Sequence, residues 1–215
     1  LVLVAALKNP NPDFLFIDKM LIIAKNNNAE AILCINKSDL CSADKADEIC
    51  KIYKNAGCRT IVTSTLSDVG ISELKSVLNK KVTAFAGFSG VGKSSILKKL
   101  TGLDLQTGGI SKKLNRGKHT TRCVELLEYG ENSYLADTPG FSMLTLPEIP
   151  SEKLLEYYPE ILPFAGECKF SDCKHINERF CGVKSAVENG DIPLTRYESY
   201  RTFYEYLKQK ENEYN

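Results

Sequence analysis

Gly87-Phe88-Ser89-Gly90-Val91-Gly92-Lys93-Ser94 stands in mid-chain, directly after the apolar run Val82–Ala86. It fits Gly-x-x-x-x-Gly-Lys-Ser, the spacing of a loop that cradles phosphate. That chemistry demands one local structure: a buried strand, a tight glycine turn, then a helix whose N-terminus faces the anion. A chain carrying it is confined to an α/β architecture with ligands at the strand C-terminal ends. A glycine-rich turn without a ligand is the plainer alternative, but the full match in a strand–loop–helix context favours phosphate.

The roles follow from position. Backbone N–H groups of Gly87, Ser89, Gly90, Val91 and Gly92 would wrap the β-phosphate, with Ser95 beside them. Lys93 would bridge β- and γ-phosphate oxygens, and Ser94 would ligate Mg²⁺. Downstream, Asp137-Thr138-Pro139-Gly140 ends a second apolar stretch. Alone it is a turn sequence. After a phosphate loop it reads as a second ligand loop, with Asp137 holding Mg²⁺ and Gly140 offering its N–H to the γ-phosphate.

Upstream, Asn36-Lys37-Ser38-Asp39 follows the apolar run Ala31–Ile35 and matches Asn-Lys-x-Asp. Asp39 can accept from guanine N1–H and from its exocyclic amine. Adenine presents an acceptor at N1 and lacks that amine, so a carboxylate facing it is left unpaired, at about 1–3 kcal/mol. Lys37 would lie along the base, and Asn36 would tie this loop to the phosphate loop. Thr63-Ser64-Thr65, after the next apolar run, sits where a loop contacting guanine O6 is expected. Ser64-Thr65 departs from the usual Ser-Ala pair there. Four residues match by chance often; beside a phosphate loop they point to guanine.

GTP-binding domains ordinarily place the phosphate loop first and the guanine motif near the end. Here the guanine motif comes first. That order implies a circular permutation of the same site.

The remaining pattern agrees with an α/β fold and a mostly parallel sheet. Leu1–Leu7, Ala31–Ile35, Arg59–Thr63 and Val82–Ala86 read as buried parallel strands. Phe14–Lys25, Ala43–Ala56 and Ile71–Leu78 have helical spacing, with Asp44 and Ser72 as candidate caps. Ile96–Leu100 continues a helix opened by the phosphate loop. Cys123–Tyr129 and Ser133–Ala136 read as a hairpin turned by Gly130-Glu131-Asn132. Pro147 and Pro150 mark a boundary, followed by a short helix Ser151–Tyr158, a Cys/His cluster and a Tyr-rich helix from Leu194. The expected division is a permuted nucleotide domain at 1–147 and a small helical metal-binding domain at 148–215.

The 215 residues suffice for one full α/β domain plus such an appendage. Net charge is +1, so no bulk field draws the chain to nucleic acid or membrane. The balance is uneven: residues 1–150 carry 19 Lys+Arg against 15 Asp+Glu, and residues 151–215 carry 9 against 12. No run reaches the ~18 apolar residues of a membrane span. The opening Leu1–Leu7 is too short, and lacks the basic flank, for a signal peptide. The chain has no initiator Met and starts inside that run, so a preceding segment is expected.

Hydrolysis needs a group to orient water. Ordinary small GTPases place a Gln directly after Asp-x-x-Gly. Phe141 stands there, and a phenyl ring cannot do this. Arg116-Gly117-Lys118-His119-Thr120-Thr121-Arg122 lies between the two phosphate motifs. Residues 112–122 carry five basic side chains and no acidic one. Thr120 and Thr121 are switch candidates, with Thr121 completing the Mg²⁺ shell. His119 is the candidate for positioning water, its ordinary pKa lying near neutrality; the alternative is an exposed histidine that touches nothing catalytic.

Of eight Cys, three cluster around a histidine. Cys168-x4-Cys173-x-His175-x5-Cys181 offers three thiolates and one imidazole, a set suited to tetrahedral Zn²⁺. Four protein ligands leave no open position, so one structural Zn²⁺ per chain is expected. The scattered remainder fits a reducing compartment.

Taken together these motifs resemble the circularly permuted, small-subunit-dependent GTPases of the RsgA or YjeQ family. The likeness covers essentially the whole chain, including the tail: Cys168 to Cys181, Gly182-Val183-Lys184, Ala186-Val187, Gly190, Ile192, Arg196-Tyr197 and Ser199-Tyr200. The resemblance implies GTP hydrolysis in late maturation of the small ribosomal subunit, stimulated by that subunit, with rRNA as partner. It also implies an N-terminal OB-fold domain, which this sequence does not contain. It carries Gly117, His119, Thr120 and Thr121 over as the switch. A cytoplasmic monomer is expected. The alternatives are a GTP-sensing binding module with little hydrolysis, or a permuted GTPase of the large subunit.

Overall fold

A computed structural model describes residues 1–103, 126–136 and 144–213. Among them six strands form one sheet in the order β3-β2-β1-β4-β6-β5. The strands are β1 (Val2–Ala6), β2 (Ile32–Asn36), β3 (Arg59–Val62), β4 (Val82–Ala86), β5 (Leu126–Gly130) and β6 (Ser133–Ala136). All neighbours run parallel except the β5–β6 hairpin. β1 and β2 are buried at every residue, which is why they read as unbroken apolar runs rather than alternating ones. Their register is in step, from Val2 opposite Ile32 to Ala6 opposite Asn36.

The helices are α1 (Phe14–Asn26), α2 (Ala43–Asn55), α3 (Ile71–Val77), α4 (Lys93–Thr101), α5 (Leu162–Ala165), α6 (Gly182–Glu188) and α7 (Leu194–Glu213). Two expected caps are corrected. Asp44 lies inside the first turn of α2, and α3 is capped by Gly70 in the left-handed region rather than by Ser72. The side-chain cap that forms is Asp13, which accepts from the Phe16 N–H at 2.8 Å and starts α1. The short helix after Pro150 is a 3-10 segment, Ser151–Tyr157.

The chain falls into two compact units. The first comprises Leu1–Pro12, Glu30–Cys50 and Arg59–Thr145; the second comprises Asp13–Ala29, Lys51–Cys58 and Leu146–Asn215. In the first, Val2, Val4, Ile32, Cys34 and Ile61 of the sheet pack with Ile71 and Leu74 of α3 and Ile96 and Leu100 of α4. In the second, Ile22 of α1 joins Leu154, Tyr158, Ile161, Val183, Tyr200 and Phe203. This second core also holds a charge. The Arg196 guanidinium meets Asp18 at 2.5 Å and Glu160 at 2.6 Å, and its face lies 4.4 Å from the Tyr158 ring centre. Tyr53 donates to Asp18 at 3.0 Å. Burial pushes the Asp18 carboxyl up, against the opposing pull of Arg196. Pairing and hydrogen bonding are what make a buried charge tolerable here.

Candidate guanine-nucleotide site and metal centre

β4 delivers the chain into the phosphate loop, and α4 leaves it. The turn is built for glycine. At Gly87 (φ +149°) a Cβ would lie 2.3 Å from the Val4 carbonyl oxygen of β1, and at Gly92 (φ +99°) it would lie 2.2 Å from Asn36 Nδ2. The loop therefore lies against the ends of β1 and β2 with no room for a methyl group. Gly92 caps α4 and supplies no side-chain acceptor to the first-turn N–H groups of the helix. Ser94 and Ser95 are exposed at that end. Lys93 folds back over the loop, donating to the Gly87 carbonyl at 2.6 Å and the Phe88 carbonyl at 2.7 Å. Burial holds its ammonium pKa below the usual lysine value. These carbonyl contacts are ones a phosphate can replace with a stronger, charged acceptor.

β2 ends at Asn36 and β3 at Val62, and because the strands run parallel these C-terminal ends lie at the same end of the sheet as the phosphate loop after β4. Asn36 is buried, and its amide nitrogen donates to the Val91 carbonyl at 2.9 Å. This bond joins the guanine motif to the phosphate loop. Lys37 takes a left-handed conformation (φ +61°), which turns the chain into the 3-10 segment Ser38–Leu40. Its ammonium donates to the Asn9 carbonyl in the segment after β1. Asp39 is exposed at the open edge, where Ser64 Oγ donates to its Oδ1 at 2.5 Å. Ser64 Oγ also accepts from the Leu66 and Ser67 N–H groups, each at 3.3 Å. Thr65 follows, half-buried. A carboxylate has about four lone-pair sites, so the Ser64 bond leaves both oxygens able to accept from a base edge.

The sequence anticipated the Asn36 tether. It missed Ser64 as the group that orients Asp39, since it offered that loop only for backbone contacts. A short hydroxyl two residues after β3 was the available signal. Nothing in the sequence marked the Asn9 carbonyl as the Lys37 acceptor. His119, Thr120, Thr121, Asp137, Gly140 and Phe141 lie outside the described residues.

In the second unit Cys168, Cys173, His175 and Cys181 converge, their ligand atoms all within 4.8 Å of one another. His175 Nδ1 lies 3.4 Å from both the Cys168 and the Cys181 sulfur, and those sulfurs are 3.8 Å apart. A tetrahedron with Zn–S of about 2.3 Å and Zn–N of about 2.0 Å requires S···S of about 3.8 Å and S···N of about 3.5 Å. The donor set fits Zn²⁺ in both chemistry and spacing. Partners behind the ligands hold the loops. Tyr197 donates to the His175 carbonyl at 2.8 Å, and Tyr200 donates to the Lys174 carbonyl at 3.1 Å. Glu178 accepts from the Lys174 N–H at 2.7 Å and the Ile176 N–H at 2.9 Å. The sequence singled out the four Cys and His residues and not these supports. Burial pushes the Cys173 thiol up to about 12 and lowers His175.

A phosphate loop and a guanine motif in permuted order, at the C-terminal ends of parallel strands and joined by Asn36, define a narrow group. Residues 1–147 match the RsgA GTPase family model. The chain belongs to the RsgA GTPase family. Curated relatives agree. The chain is 43% identical over 209 residues to the small ribosomal subunit biogenesis GTPase RsgA of Ruminiclostridium cellulolyticum, covering 97% of this chain and 68% of that protein. It is 43% identical over 215 residues to the protein of the same name from Thermotoga maritima, covering 97% and 72%. Among solved structures it resembles YjeQ from Thermotoga maritima, with a TM-score of 0.75 and 38% identity over 96% of this chain and 70% of that one. It also resembles YloQ, a circularly permuted GTPase, with a TM-score of 0.73 and 32% identity over 97% and 68%. The permuted order read from the motifs is thus the order of the family, and the activity is GTP hydrolysis.

Proposed function

We propose that this chain hydrolyses GTP in the service of small ribosomal subunit biogenesis, with turnover stimulated by that subunit and its rRNA. The observation that supports the nucleotide reading is the Asn36–Val91 bond, which ties the Asn36–Asp39 loop to the phosphate loop. Asp39 reads the guanine edge, Lys37 lies along the base, and the loop at Ser64 and Thr65 closes the far side. Gly87, Ser89, Gly90, Val91, Gly92 and Ser95 present backbone donors to the phosphates, and Lys93 exchanges its carbonyl acceptors for β- and γ-phosphate oxygens. Ser94, Asp137 and Thr121 would hold Mg²⁺, which neutralises charge developing on the phosphates. Gly140 contacts the γ-phosphate. His119, with Thr120, positions the attacking water.

The division of labour follows 1–147 for nucleotide chemistry and 148–215 for a zinc-stapled module. The module has no open metal position, so its zinc is structural. Among the described residues no helix is long and apolar enough to cross a membrane. We infer a cytoplasmic monomer acting on ribosomal particles. The test is GTP turnover by the purified chain with and without small subunits, with ATP as the control. Strong stimulation by small subunits and no ATP turnover is the expected result. Stimulation by large subunits alone, or equal use of ATP, would overturn the assignment.

A further inference from the structure

The backbone around His175 is pinned at four points, none of them a metal-ligating side chain. Glu178 takes both N–H groups that flank it. Its Oε1 accepts from the Lys174 N–H at 2.7 Å and its Oε2 from the Ile176 N–H at 2.9 Å. The carbonyls are held from α7, where Tyr200 donates to Lys174 at 3.1 Å and Tyr197 to His175 at 2.8 Å. Between these bonds His175 is buried and adopts a left-handed backbone, with φ +63°. A residue with a Cβ takes that conformation rarely, and keeps it where its surroundings over-determine it. The turn has a direct consequence for the side chain. His175 presents Nδ1, 3.4 Å from both the Cys168 and the Cys181 sulfur. Nδ1 is the ring nitrogen nearer the main chain, so the turn at His175 governs where a metal-binding lone pair points.

We propose that Glu178 is a positioning residue of the metal centre: its carboxylate locks the left-handed turn that aims His175 Nδ1 between the two sulfurs, and so sets how tightly zinc is held. This rests on the reading of the cluster as a zinc site. Glu178 is not one of the four converging ligands. A carboxylate suits the task because two acceptor oxygens can serve two N–H groups at once, and the charge strengthens both bonds. A glutamine would offer one acceptor and turn a donor toward the second N–H. Glu152 provides an internal comparison. It brings a carboxylate to the same loop, but bonds the Lys174 ammonium at 3.4 Å rather than the backbone, and it is exposed. Loss of Glu152 therefore removes a like charge without touching the turn.

The test is zinc affinity of the purified chain, measured by competition with a chromophoric chelator and paired with Co²⁺ absorption spectra. The variants are Glu178→Gln, Glu178→Ala, Glu152→Gln and His175→Ala, with Glu178→Gln also made in the His175→Ala background. Groups that orient a metal ligand contribute about 10–100-fold in affinity. Glu178→Ala should lie in that range and Glu178→Gln near its lower end, while Glu152→Gln stays close to wild type. The Co²⁺ d–d bands report the ligand set, and in Glu178→Gln they should move toward those of His175→Ala. In the His175→Ala background Glu178→Gln should cost almost nothing, because the group it positions is gone. A glutamate that only stabilised the fold would cost the same in both backgrounds and leave the bands in place. Glu178→Gln keeps the side-chain volume and decides the matter if Glu178→Ala does not fold. Wild-type affinity in Glu178→Gln, equal loss in both backgrounds, or an equal loss from Glu152→Gln would overturn the positioning role while leaving the zinc site intact. Failure of the unaltered chain to take up zinc would remove the site reading and the role of Glu178 with it.

Discussion

Ser64 Oγ donates to Asp39 Oδ1 at 2.5 Å, joining the loop after β3 to the carboxylate proposed to read the base edge. Asp39 is otherwise exposed, and an exposed carboxylate loses rotamer freedom when it binds. The serine removes part of that cost beforehand. Ser64→Ala is therefore expected to weaken GDP about three- to tenfold, within the range of one lost hydrogen bond to a charged group. Asp39→Asn should cost more, about 1.5–3 kcal/mol, and shift preference toward xanthine nucleotides. Competition binding with GTP, ATP and XTP separates the two. Unchanged GDP affinity in Ser64→Ala would show that Asp39 needs no orienting partner.

Gly92 has no space for a side chain and no favourable backbone for one. Its φ is +99°, and a Cβ would sit 2.2 Å from Asn36 Nδ2. Gly92→Ala must displace the tether or distort the loop, at a cost on the order of 1–3 kcal/mol for backbone strain alone. GDP affinity should fall by at least about tenfold, the equivalent of about 1.4 kcal/mol. The melting temperature in the absence of nucleotide should fall much less than that in its presence, because the loop lies at the edge of the core. Equal melting losses with and without GDP would indicate a folding defect instead.

What the sequence revealed, and what it hid, divides by physical cause. β1 and β2 were legible because parallel strands covered on both faces must be apolar throughout. The glycine spacing was legible because positive φ and close approach leave little choice of residue. The helix caps were misread: Asp44 and Ser72 have capping chemistry, but Asp44 lies inside the first turn of α2 and Gly70 occupies the cap of α3. The links that assemble the site were hidden for a different reason. Ser64 to Asp39, Thr63 to Asn36 and Lys37 to Asn9 each join residues far apart in sequence by a single bond, and no local periodicity records such a bond. The charged core at Arg196 was equally silent, since its partners Asp18 and Glu160 come from distant segments.

Glu211 provides a pH signature in the second unit. Its carboxylate accepts from the Ser151 N–H at 2.7 Å and meets Lys208 at 3.1 Å. The Ser151 backbone bond, then Lys208, hold its pKa below the ordinary glutamate range. A lowered carboxylate pKa means the stabilising contact is fully present above the unfolded value, about 4.3, and is lost as pH falls through the folded one. The Ser151 amide resonance, followed by NMR on acidification, should titrate with a midpoint below about 4.3. Glu211→Gln should abolish that transition. A midpoint at or above the ordinary value would refute the contact.

The zinc prediction rests on donor spacing. Elemental analysis should find one Zn²⁺ per chain, and Cys173→Ser should lose most of it. Because burial pushes the Cys173 thiol up to about 12, metal uptake must displace protons, so affinity should weaken as pH falls. Chelation should unfold the segment beyond Pro150 while GDP binding persists, since the sheet and its helices have a core of their own. Amide exchange of the chelated protein reads both outcomes at once. A protected tail in metal-free protein would show that packing of Tyr197, Tyr200 and Phe203 suffices without metal.

Hydrolysis provides the most exposed prediction. Phe141 stands where small GTPases carry the Gln that orients water, so the task falls to another group. His119 adjoins Thr120 and Thr121, the proposed switch threonines, and the other histidine, His175, belongs to the Cys168–Cys173–His175–Cys181 cluster. His119→Ala should lower stimulated turnover at least about tenfold, the low end of the ~10²–10⁴ contributed by a positioned acid–base group. GDP affinity should hardly change, because neither the phosphate loop nor the guanine motif contains His119. Lys93→Ala should behave differently, reducing binding and turnover together, because Lys93 lies over the phosphate loop itself. Single-turnover hydrolysis at saturating GTP, with small subunits present, separates chemistry from binding. Normal stimulated rates in His119→Ala would assign the water to another switch residue, to backbone, or to the ribosomal particle.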